Sequence, residues 1–367
     1  METNNILVKS IGKHSVHKFD LIENYVKSWS QKLMNNQFCS ELVFIDCMCN
    51  CGEYICDGKQ VLGTPVRIAN LLRDVSFQYP HKKISLYFND IDGNKINYLS
   101  KLLPANTRNF SVHLSANDGN EMIENLGRRL FGKKSIHYLL VYDPFEATID
   151  WQAIKPFLNQ WGEVIINHMV SDSVRAVKMA KSEEAIEKYE KTYQCSIEEL
   201  IPFGSDKSAY EKRVSQIIKN LRFNEQDYYV ASFPFFNSKN AIVYDLIFCT
   251  SNFIGFKLFK ECAWKVFGGH SSNKKTYGNE IQYTLDFENN DIKIFEDSYC
   301  YSIHNIVDYI YENFKDKGKV PLKKVWEYVD MHPIFSTANF KTIIKNELKN
   351  EYDLTVCKSY IIFGKES

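Results

Sequence analysis

Four segments end an apolar run in a carboxylate: VFID at 43–46, LYFND at 86–90, LSAND at 114–118 and LLVYD at 139–143. In open α/β sheets, ligands bind in the crevice outside the carboxyl ends of the strands, so acidic groups at successive strand tips can converge on one ligand. After the second such strand, Asp90 is placed to accept both hydroxyls of a ribose. Asp118, after the third, stands where an adenine amino group would be held. After the fourth, Asp143-Pro144-Phe145 offers a carboxylate oxygen and a proline carbonyl to a reacting group, with a ring that could stack on an extruded base. His168, after a fifth run, is a possible acid or base, or a packed histidine. Each carboxylate taken alone also suits a turn or a helix cap.

The first tip runs into an unusual loop, Asp46-Cys47-Met48-Cys49-Asn50-Cys51-Gly52. A metal reading would use Cys47, Cys49, Cys51 and Cys56. Structural zinc sites, however, prefer paired cysteines two to four residues apart, separated by a longer loop. The alternate spacing here is not that pattern, so no metal is expected. The thiols also suit small apolar fillers of a tight turn. The remaining reading is a cofactor loop, in which Asn50 and Gly52 supply the positive φ of a sharp turn and the backbone approaches the ligand beside Cys49.

These tips require a sheet. Strands are expected at Leu42–Asp46, Ile84–Asn89, Ser111–Leu114, Tyr138–Tyr142 and Glu163–Asn167, alternating with helices at Pro65–Val75, Gly93–Leu103, Asn120–Leu130 and Trp151–Gln160, the pattern of parallel βαβ units. The Lys/Glu-rich segment Val174–Leu200 reads as a solvated helical insertion, about 174–225 in all. Two more strands, Tyr228–Phe233 and Ala241–Thr250, are joined by a turn too short for a parallel crossover and must be antiparallel neighbours. The expected fold class is therefore α/β: a Rossmann-like seven-stranded sheet with an antiparallel terminal hairpin, a pattern that resembles the sheet of S-adenosylmethionine (SAM) methyltransferases. The main domain covers 1–268 and a linker follows over 269–300. Three helices (Ser302–Lys317, Pro321–Val329, Ser336–Lys349) and a small hairpin then suggest a winged-helix-like domain at 301–367.

Composition narrows the class. The 367 residues carry 45 basic and 45 acidic side chains, 44% apolar and 25% charged, so no global charge advertises a polyanion partner. No apolar run approaches the length of a membrane span, and the N-terminal METNNILVKSIGKHSVHKF lacks a secretory apolar core. The expectation is a cytoplasmic protein with ten reduced cysteines and no membrane partner.

Several segments together, KFDLIENYVKSW, FIDCMCNCGEYICDGKQVLGTPVRIANLL, LYFNDID, VYDPFEATIDW, INHMVSD and IVYDLIFCTSN, resemble the three-Cys-motif partner protein (TcmP) family, over most of Lys13–Phe267. That family has a SAM-methyltransferase-like fold. Its first loop is similar to D-x-F-A-G-x-G and its second to G-[ST]-P. Gly63-Thr64-Pro65 matches the second, whereas Met48, Cys49 and Asn50 depart from the first. The resemblance implies SAM as cofactor, with Asp46, Cys49, Asn50 and Gly52 at its methionine end, Asp90 at the ribose and Asp118 at the adenine. It places Asp143, Pro144, Phe145 and His168 around the methyl acceptor, in a manner similar to the Asp-Pro-Pro-aromatic segment of amino-methylating enzymes. It also implies a radical-SAM-like three-Cys-motif partner, and a prophage or defence context whose target is nucleic acid or a translation component. The other reading is a catalytically degenerate adaptor working with that partner.

Nucleic-acid contacts, to DNA or RNA, would fall to Lys274 and Lys275 in the linker. In the third C-terminal helix they would fall to Thr337, Asn339, Lys341, Lys345 and Lys349. Balanced charge and the lack of arginine in this unit leave protein contact as an equal alternative.

Overall fold

The computed structural model describes residues 7–144, 148–170, 182–200, 207–221, 228–274, 283–285, 292–294 and 300–364. Its centre is a seven-stranded sheet: β1 (Glu41–Asp46), β2 (Lys83–Asn89), β3 (Phe110–Ser115), β4 (Ile136–Tyr142), β5 (Gly162–His168), β6 (Tyr229–Phe236) and β7 (Ile242–Thr250). The spatial order is β3-β2-β1-β4-β5-β7-β6. β1 to β5 are parallel, and β7 runs antiparallel to both β5 and β6. Strands covered on both faces read as near-continuous apolar runs, which is why these segments were legible as strands. The expected hairpin is present, and its second strand enters the sheet on the inner side.

Two cores flank the sheet. The helices Lys13–Met34, Thr64–Gln78 and Phe253–Val266 contribute Tyr25, Leu72 and Trp264 to one. On the other face Leu126, Trp151, Tyr193 and Ile217 pack from the helices Gly119–Leu130, Trp151–Ile154, Glu183–Tyr193 and Lys207–Leu221. The helix expected over Trp151–Gln160 stops at Ile154 and tightens into a 3-10 turn, Lys155–Phe157. Pro156 explains the break: it lacks the N–H that the next helical bond requires. Parts of the expected insertion, and Phe145 and Lys275, lie outside the described residues.

The C-terminal segment forms helices Ile303–Phe314, Leu322–Met331 and Lys341–Tyr352, with a three-stranded sheet ordered Gly318–Pro321, Tyr360–Phe363, Thr355–Val356. The strand Gly318–Pro321 was not expected. The third helix begins at Lys341 rather than Ser336, because Thr337 is buried with its Oγ1 donating to Asp330 Oδ1 (2.9 Å). Thr337 is therefore not on a recognition surface. This unit is fastened to the helix Phe253–Val266: buried Lys260 donates through Nζ to the carbonyls of Asp330 (2.5 Å) and His332 (2.7 Å), and Trp264 Nε1 donates to the Ile334 carbonyl (2.8 Å). Among the described residues, no helix is long and apolar enough to cross a membrane.

Candidate active site

Reversal of strand order between β1 and β4 opens a crevice at the carboxyl end of the sheet, the topological switch point of such folds. A cavity of about 930 Å³ lies there, and Asp46, Cys49, Asn50, Asp90, Asp118, Asp143 and Pro144 all line it. Residues up to 98 apart in sequence are thus brought together, as the strand-tip reading requires. Gly52 stands behind the lining and shapes the loop.

The loop takes its form from two left-handed residues, Asn50 (φ 60°) and Gly52 (φ 81°). Asn50 is held by accepting from the Cys51 N–H through its own Oδ1 (2.8 Å) and by donating its N–H to Asp90 Oδ2 (3.1 Å). Its polar side chain thus supports a conformation in which most residues are strained. Gly52 accepts from the Gly63 N–H (2.8 Å), docking the loop on the start of the helix Thr64–Gln78. A β-carbon at Gly52 would stand 2.5 Å from Leu99 Cδ1 and 2.8 Å from Val66 Cγ2. Gly52→Ala is accordingly expected to lower stability by about 1–3 kcal/mol and to weaken ligand binding, read by thermal melting and calorimetry.

The thiols answer to separate partners. Cys47 Sγ faces the Val141 carbonyl, Cys49 Sγ that of Asn50, and Cys51 Sγ those of Leu7 and Glu53. Burial, then the Asp46 charge, raises the Cys47 and Cys49 thiols well above their usual range, so they stay protonated and behave as small apolar fillers.

Each strand tip has its own electrostatic setting. Asp46 is buried, and burial followed by the neighbouring Asp143 charge pushes its carboxyl up to about 8. Asp90 is tied down: it accepts from Asn50 N–H, from Asp92 N–H (3.0 Å) and from Lys95 Nζ at both oxygens (3.2 Å). Asp118 is exposed and caps the helix Gly119–Leu130, its Oδ1 accepting from the Asn120 and Glu121 N–H groups. The capping carboxylate also lines the crevice. Asp143 accepts from Lys18 Nζ at Oδ2 (2.6 Å) and from Asn167 Nδ2 at Oδ1 (2.6 Å).

His168 does not reach the crevice. Alternation along β5 turns Asn167 toward the cavity and His168 to the opposite face, where its Nε2 pairs with the Tyr193 hydroxyl (3.1 Å). Burial first, then the Arg213 charge, lowers its pKa to about 3, which leaves a neutral core histidine. Sequence reasoning missed Lys18, Tyr54, Lys95, Asn167 and Tyr244, all of which line the cavity. For Lys18 a signal existed: Phe19, Ile22, Val26 and Trp29 recur at helical spacing and mark the long helix that carries it. Nothing local marks Asn167 as Asp143's partner.

These acceptors suit a cationic nucleoside. The crevice holds four carboxylates, a glycine-shaped loop and a helix start at Thr64-Pro65. The sheet is that of the Rossmann-like SAM-methyltransferase fold. The chain matches no family profile and no curated protein. Among solved structures it is similar to human methyltransferase-like protein 13 in complex with S-adenosylhomocysteine (SAH), at 13% identity over 75% of this chain and 99% of that one, TM-score 0.33. A candidate caffeoyl-CoA O-methyltransferase of Staphylococcus aureus shares 12% identity over 63% and 83%, TM-score 0.32. A loganic acid methyltransferase with SAH shares 12% over 66% and 96%, TM-score 0.26. At values this low the fold assignment rests on the strand order and the antiparallel β7 themselves.

Proposed function

We propose that the chain is a SAM-dependent methyltransferase whose acceptor is a nucleic acid. The observation that carries this reading is the convergence of Asp46, Asp90, Asp118 and Asp143 on one crevice at the switch point of the sheet. When bound, SAM supplies an electrophilic methyl group on a sulfonium. The residues present fit such a group: Asp46 and the Asn50–Gly52 loop at its amino-acid end, Asp90 at the ribose, Asp118 at the adenine edge. Asp143, oriented by Lys18 and Asn167, and Pro144 would face the acceptor. Burial of Asp46 and Asp90 strengthens the charge contacts there.

Calorimetry with SAH tests the reading directly; a wild-type chain that binds neither SAH nor SAM overturns it. The pH dependence adds a signature. A cation beside Asp46 favours its ionised form and lowers its pKa below the ligand-free value of about 8. Binding then releases a proton, so affinity rises with pH, by up to about tenfold per unit, and levels off above about 8. Asp46→Asn is expected to flatten that rise.

A second reading, a methyltransferase-shaped adaptor for a radical-SAM-like partner, is favoured by one observation: Lys95 already occupies both Asp90 oxygens, where a ribose would bind. If it holds, the wild type binds no SAH and Asn50→Gly, which frees the loop, creates binding.

A further inference from the structure

A second concave surface lies where the C-terminal unit meets the main domain. It is a groove of about 480 Å³ lined by Lys257 of the helix Phe253–Val266, Lys323 and Trp326 of Leu322–Met331, Lys341 and Lys345 of Lys341–Tyr352, and Lys358 in the turn before Tyr360–Phe363. Five ammonium groups from four elements face two carboxylates, Glu327 and Asp330. Asp330 is neutralised by Lys257 at 2.7 Å, and Lys323 lies 3.8 Å from Glu327. Lys341, Lys345 and Lys358 form no ion pair among the described residues, although the half-buried Glu261 carboxylate feels the Lys341 charge. The Lys341 ammonium stands 5.8 Å from the centre of the half-buried Trp326 ring.

In a chain of zero net charge, a local surplus of lysines around one hollow is a focused positive potential. Lysine is a point-charge phosphate binder that needs no fixed geometry, and an aromatic ring in a basic groove offers a stacking face to a base. A hollow of about 480 Å³ is small beside a duplex, whereas one extended strand can follow it. Of the sequence candidates, Lys341 and Lys345 belong to the groove. Asn339 is exposed but outside its lining, and Lys274 lies elsewhere, 5.5 Å from the Phe236 ring centre.

We propose that this groove binds the sugar-phosphate backbone of a single-stranded nucleic acid. The proposal deepens the methyltransferase reading, on which its functional meaning rests, by naming the substrate as a strand whose bases are already unpaired and need no extrusion from a duplex. An acidic peptide would pair with the lysines but offers the ring no planar base, and poly-glutamate in the test below separates the two.

Fluorescence anisotropy of the full chain with labelled oligothymidylate and oligouridylate of about 20 nucleotides tests the site. Binding to either strand is expected, the tighter one identifying the sugar, and log affinity should fall with log salt at a slope of about −2 to −3, from about 0.7 per phosphate contact. Lys345→Gln with Lys358→Gln should weaken binding at least about tenfold and cut the slope by about 1.4. Lys315→Gln, outside the groove, should leave it unchanged. No binding at low salt, a duplex or poly-glutamate binding as tightly, or an unaffected double variant would each overturn the proposal. SAH calorimetry on the same double variant should match wild type. Strand binding without SAH binding would sink the enzyme reading and leave the groove intact; the reverse would sink the groove alone.

Discussion

Asp90→Ala is expected to raise the Kd for SAH about 100-fold or more while the protein remains folded. The carboxylate fixes two things at once. It accepts the Asn50 N–H, which holds the left-handed loop, and it would present its oxygens to the ribose hydroxyls once Lys95 swings aside. Charge-assisted hydrogen bonds contribute about 1.5–3 kcal/mol each, and two of them give roughly 100-fold or more in affinity. Removing Asp90 also leaves the Lys95 ammonium in the crevice without its carboxylate. Calorimetry measures the loss and thermal melting checks the fold. An affinity within about threefold of wild type would mean that the nucleoside is not held at β2.

Trp264→Ala is expected to destabilise the chain by about 3–5 kcal/mol, the usual range for deleting a fully buried aromatic side chain. Trp264 has no solvent exposure, and its ring meets Phe335 and Phe340 of the C-terminal unit at 6.4 and 5.9 Å. Its N–H satisfies the Ile334 carbonyl, which the substitution leaves unpaired. Because the same side chain belongs to the main core and to the junction, urea unfolding should shift as a whole and remain one transition. A new early transition, with the main domain unaltered, would show the junction to be weaker than its packing suggests.

The sheet was readable because buried strands carry their own signature in continuous apolar runs, and because acidic residues punctuate their ends. Asp46, Asp90, Asp118 and Asp143 were found from that punctuation alone. Most of the misses share a cause: they depend on what another element presents. Helix Lys13–Met34 mixes lysine, histidine and glutamate with its apolar stripe, and only the fold shows that Lys18 reaches Asp143, 125 residues away. Asn167 and His168 are adjacent and both polar; strand alternation decides which faces the crevice, and the register was one residue too fine for sequence to settle. The extra length given to the helix after Trp151 overlooked Pro156, whereas the late start of the third C-terminal helix follows from Thr337 bonding to Asp330, a contact no local rule foretells.

The placement of β7 bears on biosynthesis. Its backbone seals β5 from Glu163 to His168, yet it is translated only after the whole intervening segment has left the ribosome. Until then a nascent chain carries a bare, apolar strand edge, the kind of surface that invites pairing with other chains. Newly made protein is therefore expected to depend on chaperone cover, or on slow elongation just before residue 242, more than its finished stability would suggest.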